Sequence, residues 1–163
     1  MIKNTISIGF IIIVVVLLNS YTYATNSKIT TTLNQKEEND GTIQVEVNIL
    51  EMENIGEGIN AYSGQLSFNT NQLTLMKLEG VNNWNTPLYN EESAKKGNTK
   101  IVATSNNFTK NIGTIFVATF EKKTNVVVDK VEFNDFEVAS KIDGKTVKVT
   151  EQKDVQTKQR ICE

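Results

Sequence analysis

The sequence predicts an all-β protein, an antiparallel β-sandwich or jelly roll of about nine short strands. Short runs in which apolar and polar residues alternate recur along the chain. Turn signals such as Asp40-Gly41 and Asp143-Gly144 separate these runs. No segment keeps an apolar stripe at the spacing of an amphipathic helix. Because Ile29–Thr150 contains neither an internal repeat nor a linker, we expect one domain over residues 25–150.

The N-terminal residues predict a secretory signal peptide over residues 1–24. Lys3 precedes an uninterrupted apolar run, Ile8–Leu18, and small or polar residues that end in Ala24 follow it. A membrane anchor is the alternative, but the run is shorter than the roughly 20 residues that a spanning helix needs. We therefore expect cleavage near Ala24, an extracellular location (secreted or cell-surface associated) and no membrane span in the cleaved chain.

The first strands of the domain follow from alternation and from the turns between them. They are predicted over Lys28–Leu33, Thr42–Ile49, Ala61–Phe68 and Leu73–Leu78. The second is the clearest, because every other residue from Ile43 to Ile49 is apolar. In the third, Tyr62 and Leu66 point to one side while Ser63 points to the other. One face of that strand can therefore be buried while the other meets solvent or a partner.

The second half of the domain begins with a long polar connection, Val81–Thr99, in which Asn90–Lys96 could form one helical turn before Gly97. Further strands are predicted over Lys100–Ser105, Gly113–Lys122, Val126–Val128, Val131–Val138 and Thr146–Thr150. Both sides of Gly113–Lys122 are apolar, which places it centrally in a sheet. The polar residues 151–163 show no periodicity and predict a disordered tail.

The composition argues against several classes of function. The chain contains no His, which removes His-based acid–base catalysis and His metal ligands. Its net charge of −2 and the lack of a long basic patch argue against nucleic-acid binding. No two carboxylates are set across a cleft as a glycosidase needs, and Glu37–Asp40 matches no calcium-loop spacing. Cys162 is the single Cys, so no internal disulfide can form. We expect a non-enzymatic protein without metal or cofactor.

Four segments, in this order and spacing, resemble the bacterial cohesin domain family. They are Asp40–Leu50, with a glycine before alternating valines; Leu66–Leu73, with an aromatic residue before a turn; Ile112–Phe120, with a glycine before a strand that ends in Phe; and the closing strand Lys141–Val149. The resemblance covers Ile29 to Thr150. It implies a nine-stranded jelly roll that anchors dockerin-bearing proteins in extracellular assemblies, including those that degrade polysaccharides.

The chain departs from the family pattern at two places. Asn69-Thr70 stands where Asp-Pro is usual. Ala61 and Ser63 stand where dockerin-binding members often carry Asn and Asp on the outward side of the strand. The related carbohydrate-binding modules share the jelly roll, so the same segments also support a carbohydrate-binding or adhesion module as the alternative function.

A polar strand face is the first candidate site. Members of the family accept their partner on a flat sheet face, so the resemblance implies a dockerin-like protein partner there. The residues that we expect on this face are Ser63, Gln65, Ser67, Thr104 and Thr119. The alternative is a solvated sheet face, as in any sandwich.

Trp84 and Tyr89 form the second candidate site. They lie in an Asn-rich connection, and aromatic rings beside amide side chains suit a glycan, because the ring stacks on C–H faces while the amides bond hydroxyl groups. The alternative is that Trp84 closes the open end of the sandwich and Tyr89 caps an edge.

Overall fold

Two β-sheets pack face to face in the computed structural model, which describes residues 22–23, 26–123 and 127–151. The elements are β1 Thr22–Tyr23, β2 Lys28–Glu37, β3 Thr42–Glu53, β4 Ile59–Ser67, β5 Leu73–Gly80, β6 Leu88–Tyr89, α1 Glu91–Ala94, β7 Asn98–Thr109, β8 Gly113–Lys122, β9 Glu132–Ile142 and β10 Lys145–Thr150. The predicted antiparallel β-sandwich is confirmed.

The strands are not ordered in the sheets as they are in the sequence. One sheet has the order β1-β10-β9-β4-β7-β6, and the other has the order β2-β3-β8-β5. Neighbouring strands are antiparallel except for β1, which lies parallel to β10. β8 lies between β3 and β5, as its two apolar sides predicted. Because β4 lies between β7 and β9, its outward residues occupy the middle of the six-stranded sheet.

The inner faces of both sheets form one hydrophobic core. Every second residue of β3 from Ile43 to Ile49 is buried, which is the alternation read from the sequence. Aromatic rings join the two sheets at the centre: Tyr62 of β4 stacks on Phe116 of β8 with ring centroids 6.0 Å apart. Burial of these rings removes a large apolar area from water and is the main stabilising term of the fold.

Three sequence predictions concern the signal peptide, the C-terminal tail and a membrane span. Apart from Thr22–Tyr23 and Glu151, the predicted signal peptide and tail, with Cys162, lie outside the described residues. Glu151 belongs to the folded part, because its carboxylate accepts hydrogen bonds from the Thr31 backbone N–H, at 3.0 Å, and from the Thr31 hydroxyl. The described residues include no helix that could span a membrane.

The predicted strand Val126–Val128 is wrong for its described residues. Val127 is 86% exposed, and Val128 pairs with no strand among the described residues. The segment instead leads into β9, and the Gln72 side chain accepts a hydrogen bond from the Asp129 backbone N–H at 2.8 Å. A run of valines forms a β-strand only where another strand pairs with it. The local sequence does not show whether such a partner is present.

The Tyr62 hydroxyl is buried in the core and has no hydrogen-bond partner among the described residues. Desolvation raises the pKa of this hydroxyl. Because an unsatisfied buried hydroxyl is destabilising, we expect Tyr62→Phe to leave the free energy of unfolding unchanged or to raise it by about 1 kcal/mol. Urea unfolding measures this change. A loss of more than about 1 kcal/mol would show that the hydroxyl has a partner.

Candidate protein-docking face

The outward side of the six-stranded sheet carries the polar row that the sequence predicted. Ser63, Gln65 and Ser67 are half-buried and point outward, because the alternate residues of β4 fill the core. Thr104 lies on the same side, since the register pairs it with Ala61. The sheet therefore brings four of the five predicted residues onto one surface, which we call the outer face.

Thr119 does not belong to the outer face, and its predicted place there is wrong. It lies on β8, in the four-stranded sheet, where it pairs with Gln44 on one side and Lys77 on the other. Its side chain points outward, but on the opposite surface of the sandwich. The reason is that β8 pairs with β3 and β5 and not with β4. These partners are distant in the sequence, so a local pattern does not reveal them.

An apolar patch runs across the outer face from the edge strand β6 to β9. Leu88 pairs with Val102, and Val102 pairs with Ser63. Leu88 is 75% exposed and Val102 is 40% exposed, and because they pair they form a contiguous apolar surface. Ala61 and Ala139 lie opposite each other next to this row, on β4 and β9. We call these five residues the docking patch.

Leu88 and Val102 of the docking patch were missed in the sequence, although Val102 left a signal. Val102 occupies a position in β7 that alternates with the buried Ile101 and Ala103, so it is an apolar residue on the polar side of a strand. Leu88 left no such signal, because the two-residue strand β6 exists only through its pairing with β7. Strand partners, not local pattern, bring Leu88 to the sheet.

Polar side chains surround the docking patch. Gln65 donates a hydrogen bond to the Asn98 side chain on one flank. On the other flank, Glu137 and Lys148 form an ion pair with an N–O distance of 2.6 Å. Both of these charged side chains are more than two-thirds buried. A small apolar centre within a polar rim is the usual anatomy of a protein–protein interface.

The predicted aromatic platform of Trp84 and Tyr89 is not formed. Trp84 is 6% exposed, and its ring packs edge-on against Tyr62 with centroids 4.9 Å apart. Trp84 therefore belongs to the core, in line with the alternative interpretation of the sequence, in which Trp84 closes the end of the sandwich. Tyr89 is half-buried and lines a cleft at the edge of the sandwich, where Phe68 and Leu75 lie beside it.

The acidic loop between β2 and β3 offers no cluster for a cation. Glu37 pairs with Lys122 at 2.8 Å, and the Asp40 carboxylate accepts hydrogen bonds from the Thr42 hydroxyl at 2.7 Å and its backbone N–H at 2.9 Å. These bonds lower the pKa of Asp40, so any stability they add is lost as the pH falls through that lowered value. The described residues contain no group of three or more potential metal ligands.

Solved protein structures share this arrangement of strands. No family model matches the sequence, and no curated protein matches it. A cohesin module of a family 33 glycoside hydrolase from Clostridium perfringens matches the structure with a TM-score of 0.61 and 14% identity, over 78% of this chain and 100% of that module. The chain has the cohesin fold. The resemblance drawn from the four sequence segments is thus confirmed for the fold.

Two further cohesins have the same fold. The seventh ScaB type I cohesin of Pseudobacteroides cellulosolvens matches with a TM-score of 0.55 and 16% identity, over 76% of this chain and 86% of that one. The cohesin of a type I cohesin–dockerin complex from Clostridium thermocellum matches with a TM-score of 0.53 and 13% identity, over 77% of this chain and 98% of that one. The matched region therefore covers between 86% and 100% of each of these three cohesin chains.

Proposed function

We propose that this cohesin fold is an extracellular, non-enzymatic docking module that binds a dockerin-like protein through the outer face of its six-stranded sheet. The observation that carries the proposal is the exposure of Leu88 and Val102 on a sheet otherwise lined by small and polar side chains. A cohesin of the same fold has been solved in complex with a dockerin, which supports this class of partner. The absence of His from the chain supports binding over catalysis.

The docking patch has the properties that a protein partner requires. Covering Leu88 and Val102 would remove apolar area from water, which favours association. Ala61, Ser63 and Ala139 are short, so a partner can approach the backbone of β4 and β9 closely. The amide and hydroxyl groups of the polar row then fix the orientation of the partner through hydrogen bonds.

The opposite surface of the sandwich differs in composition. The outward positions of the four-stranded sheet include Gln44, Glu46 and Thr119, and Lys77 forms an ion pair with Glu79 at an N–O distance of 2.6 Å. Charged pairs of this kind are well hydrated and add little to association. The four-stranded sheet also exposes Leu50, at 56%, and Met76, at 58%, but within the described strands each lies unpaired at a register shift. Leu88 and Val102 instead pair with each other. The contiguity of these apolar side chains favours the outer face as the docking surface.

The proposal also includes export of the protein from the cell. Cleavage after Ala24 would remove β1, which contributes only Thr22–Tyr23 to the sheet beside β10. The docking patch lies on β4, β6, β7 and β9, which residues after the proposed cut supply in full. A secreted or surface-held module of an extracellular assembly, such as one that degrades polysaccharides, would then present the outer face to its partners.

We expect Ser63→Arg to weaken binding of a dockerin by at least about 30-fold, because a long charged side chain at the centre of an interface costs about 2 kcal/mol or more. The assay is isothermal titration against a panel of purified dockerin modules from the source organism. Thr119→Arg is the matched control, since it places the same side chain outward on the opposite surface.

The two variants separate the possible outcomes. Tight binding by the wild-type chain and by Thr119→Arg, with loss in Ser63→Arg and little change in its melting temperature, supports the proposal. Unchanged affinity in Ser63→Arg, or a loss in Thr119→Arg alone, would rule out the outer face. Failure of the wild-type chain to bind any dockerin in the panel would contradict the choice of partner.

A further inference from the structure

A cleft of about 490 Å³ opens at one edge of the sandwich, on the other side of β6 from Leu88 of the docking patch. It lies between β5 and β6, which are edge strands of the two different sheets. The helix α1 and the turn that follows β4 complete its walls. Its volume falls within the range of small-molecule sites, about 300–1,000 Å³.

The wall of the cleft holds an aromatic ring that no other ring covers within the described part of the chain. Tyr89 pairs with Ile101, and because Leu88 takes the outward position in this short strand, Tyr89 turns toward the cleft. Phe68 lies beside it and is fixed by an edge-on contact with Phe120, with centroids 5.0 Å apart. Leu75 extends this apolar surface. The cleft thus has a rigid, partly aromatic lining.

Polar groups with free hydrogen-bonding capacity stand around that lining. Among the described residues, the Asn71 amide, the Thr74 hydroxyl, the Glu91 carboxylate and the Tyr89 hydroxyl have no hydrogen-bond partner. Asn71 is nevertheless held in place, because its backbone N–H donates to the Asn69 side chain at 3.0 Å. The rim therefore offers both donors and acceptors from fixed positions.

The two lysines of the cleft are already engaged. Lys95 pairs with Glu92 at 2.6 Å, and the Lys123 ammonium donates to the Thr70 carbonyl oxygen. Because Glu91 and Glu92 balance the charges of these two lysines, the rim carries no net positive charge that would select an anion. An apolar peptide side chain would cover the rim groups without bonding them, which is unfavourable.

We propose that this cleft binds one neutral hexose unit of a glycan chain. Tyr89 stacks on the C–H face of the sugar ring, while Asn71 donates to and accepts from its hydroxyl groups and Glu91 accepts from them. This site goes beyond protein docking, and it uses the side of β6 opposite to Leu88. One two-residue strand thus contributes to two separate binding surfaces.

The experiment titrates the purified, ¹⁵N-labelled protein with neutral cello-, manno- and galacto-oligosaccharides and with acidic oligosaccharides of matched length. We expect one neutral series to shift the amide resonances of Asn71 and Tyr89. Tyr89→Ala should weaken that binding by at least about tenfold, because it removes the stacking face. Asn71→Ala should also weaken it, and this exposed side chain carries no contact that the fold needs.

Leu88→Ala is the matched control, since it alters the same strand on its outward side. It should leave glycan binding unchanged, whereas Tyr89→Ala and Asn71→Ala should leave dockerin binding unchanged. Binding of no oligosaccharide at millimolar concentration, binding of acidic oligosaccharides only, or undiminished binding by Asn71→Ala would overturn the proposal. Because no dockerin enters this titration, its outcome is independent of the proposed docking function.

Discussion

Phe120→Ala is expected to lower the free energy of unfolding by about 3–5 kcal/mol. Phe120 is fully buried on β8, the strand between β3 and β5, and it pairs with Ile43 and Leu75. Its ring also packs against Phe68. Removing the ring leaves a cavity that strands on both sides hold open, so the lost transfer energy and the lost contacts add together.

Urea unfolding followed by the fluorescence of Trp84 measures this loss, because Trp84 is the single tryptophan and lies in the same core. Val127→Ala is a control, since that side chain is 86% exposed and should change stability by less than about 0.5 kcal/mol. A loss below about 1 kcal/mol for Phe120→Ala would show that this position is not part of a packed core.

Gly58→Ala is expected to be at least as damaging, with a loss of about 3 kcal/mol or more. Gly58 has φ +115°, and a Cβ there would lie 2.4 Å from the Thr109 carbonyl oxygen, which is backbone and cannot rotate away. The same residue is held from two sides: its N–H donates to the Ile55 carbonyl oxygen at 3.0 Å, and its carbonyl accepts from the buried Ser140 hydroxyl at 2.9 Å.

Gly41→Ala separates the clash from the backbone strain. Gly41 also has positive φ, at +80°, but an added Cβ would meet nothing within 4 Å. We expect this control to cost only the left-handed conformation, about 1–2 kcal/mol. Thermal or urea unfolding of both variants gives the comparison. Equal losses in the two would contradict the close approach of Gly58 to β7.

The strands with strict alternation could be located from the sequence, but not all of their ends could. The predicted Thr42–Ile49 covers the first eight of the twelve residues of β3, and the predicted Ala61–Phe68 covers seven of the nine residues of β4. Alternation is readable because successive side chains of a strand point to opposite faces wherever it pairs. β7 instead runs on to Thr109, well beyond the predicted Ser105, because its pairing with β4 continues where the local pattern fades.

The candidate site could be predicted only in part, for the same reason. The polar row of β4 is a property of one strand, so its outward direction was correct. Which other residues join that row depends on strand order, and this is why Thr119 was misplaced and Leu88 was missed. Trp84 shows a further limit: its loop is polar, yet its ring fills the end of the core against Tyr62.

The most direct test of the docking function is the footprint of a bound dockerin, read residue by residue from the ¹⁵N spectrum of this chain or from the protection of its backbone amides against hydrogen exchange. The outer face predicts changes at Ser63, Val102 and Leu88, with β3 and the outward side of β8 unaffected. A footprint centred on Gln44, Lys77 and Thr119 would contradict it.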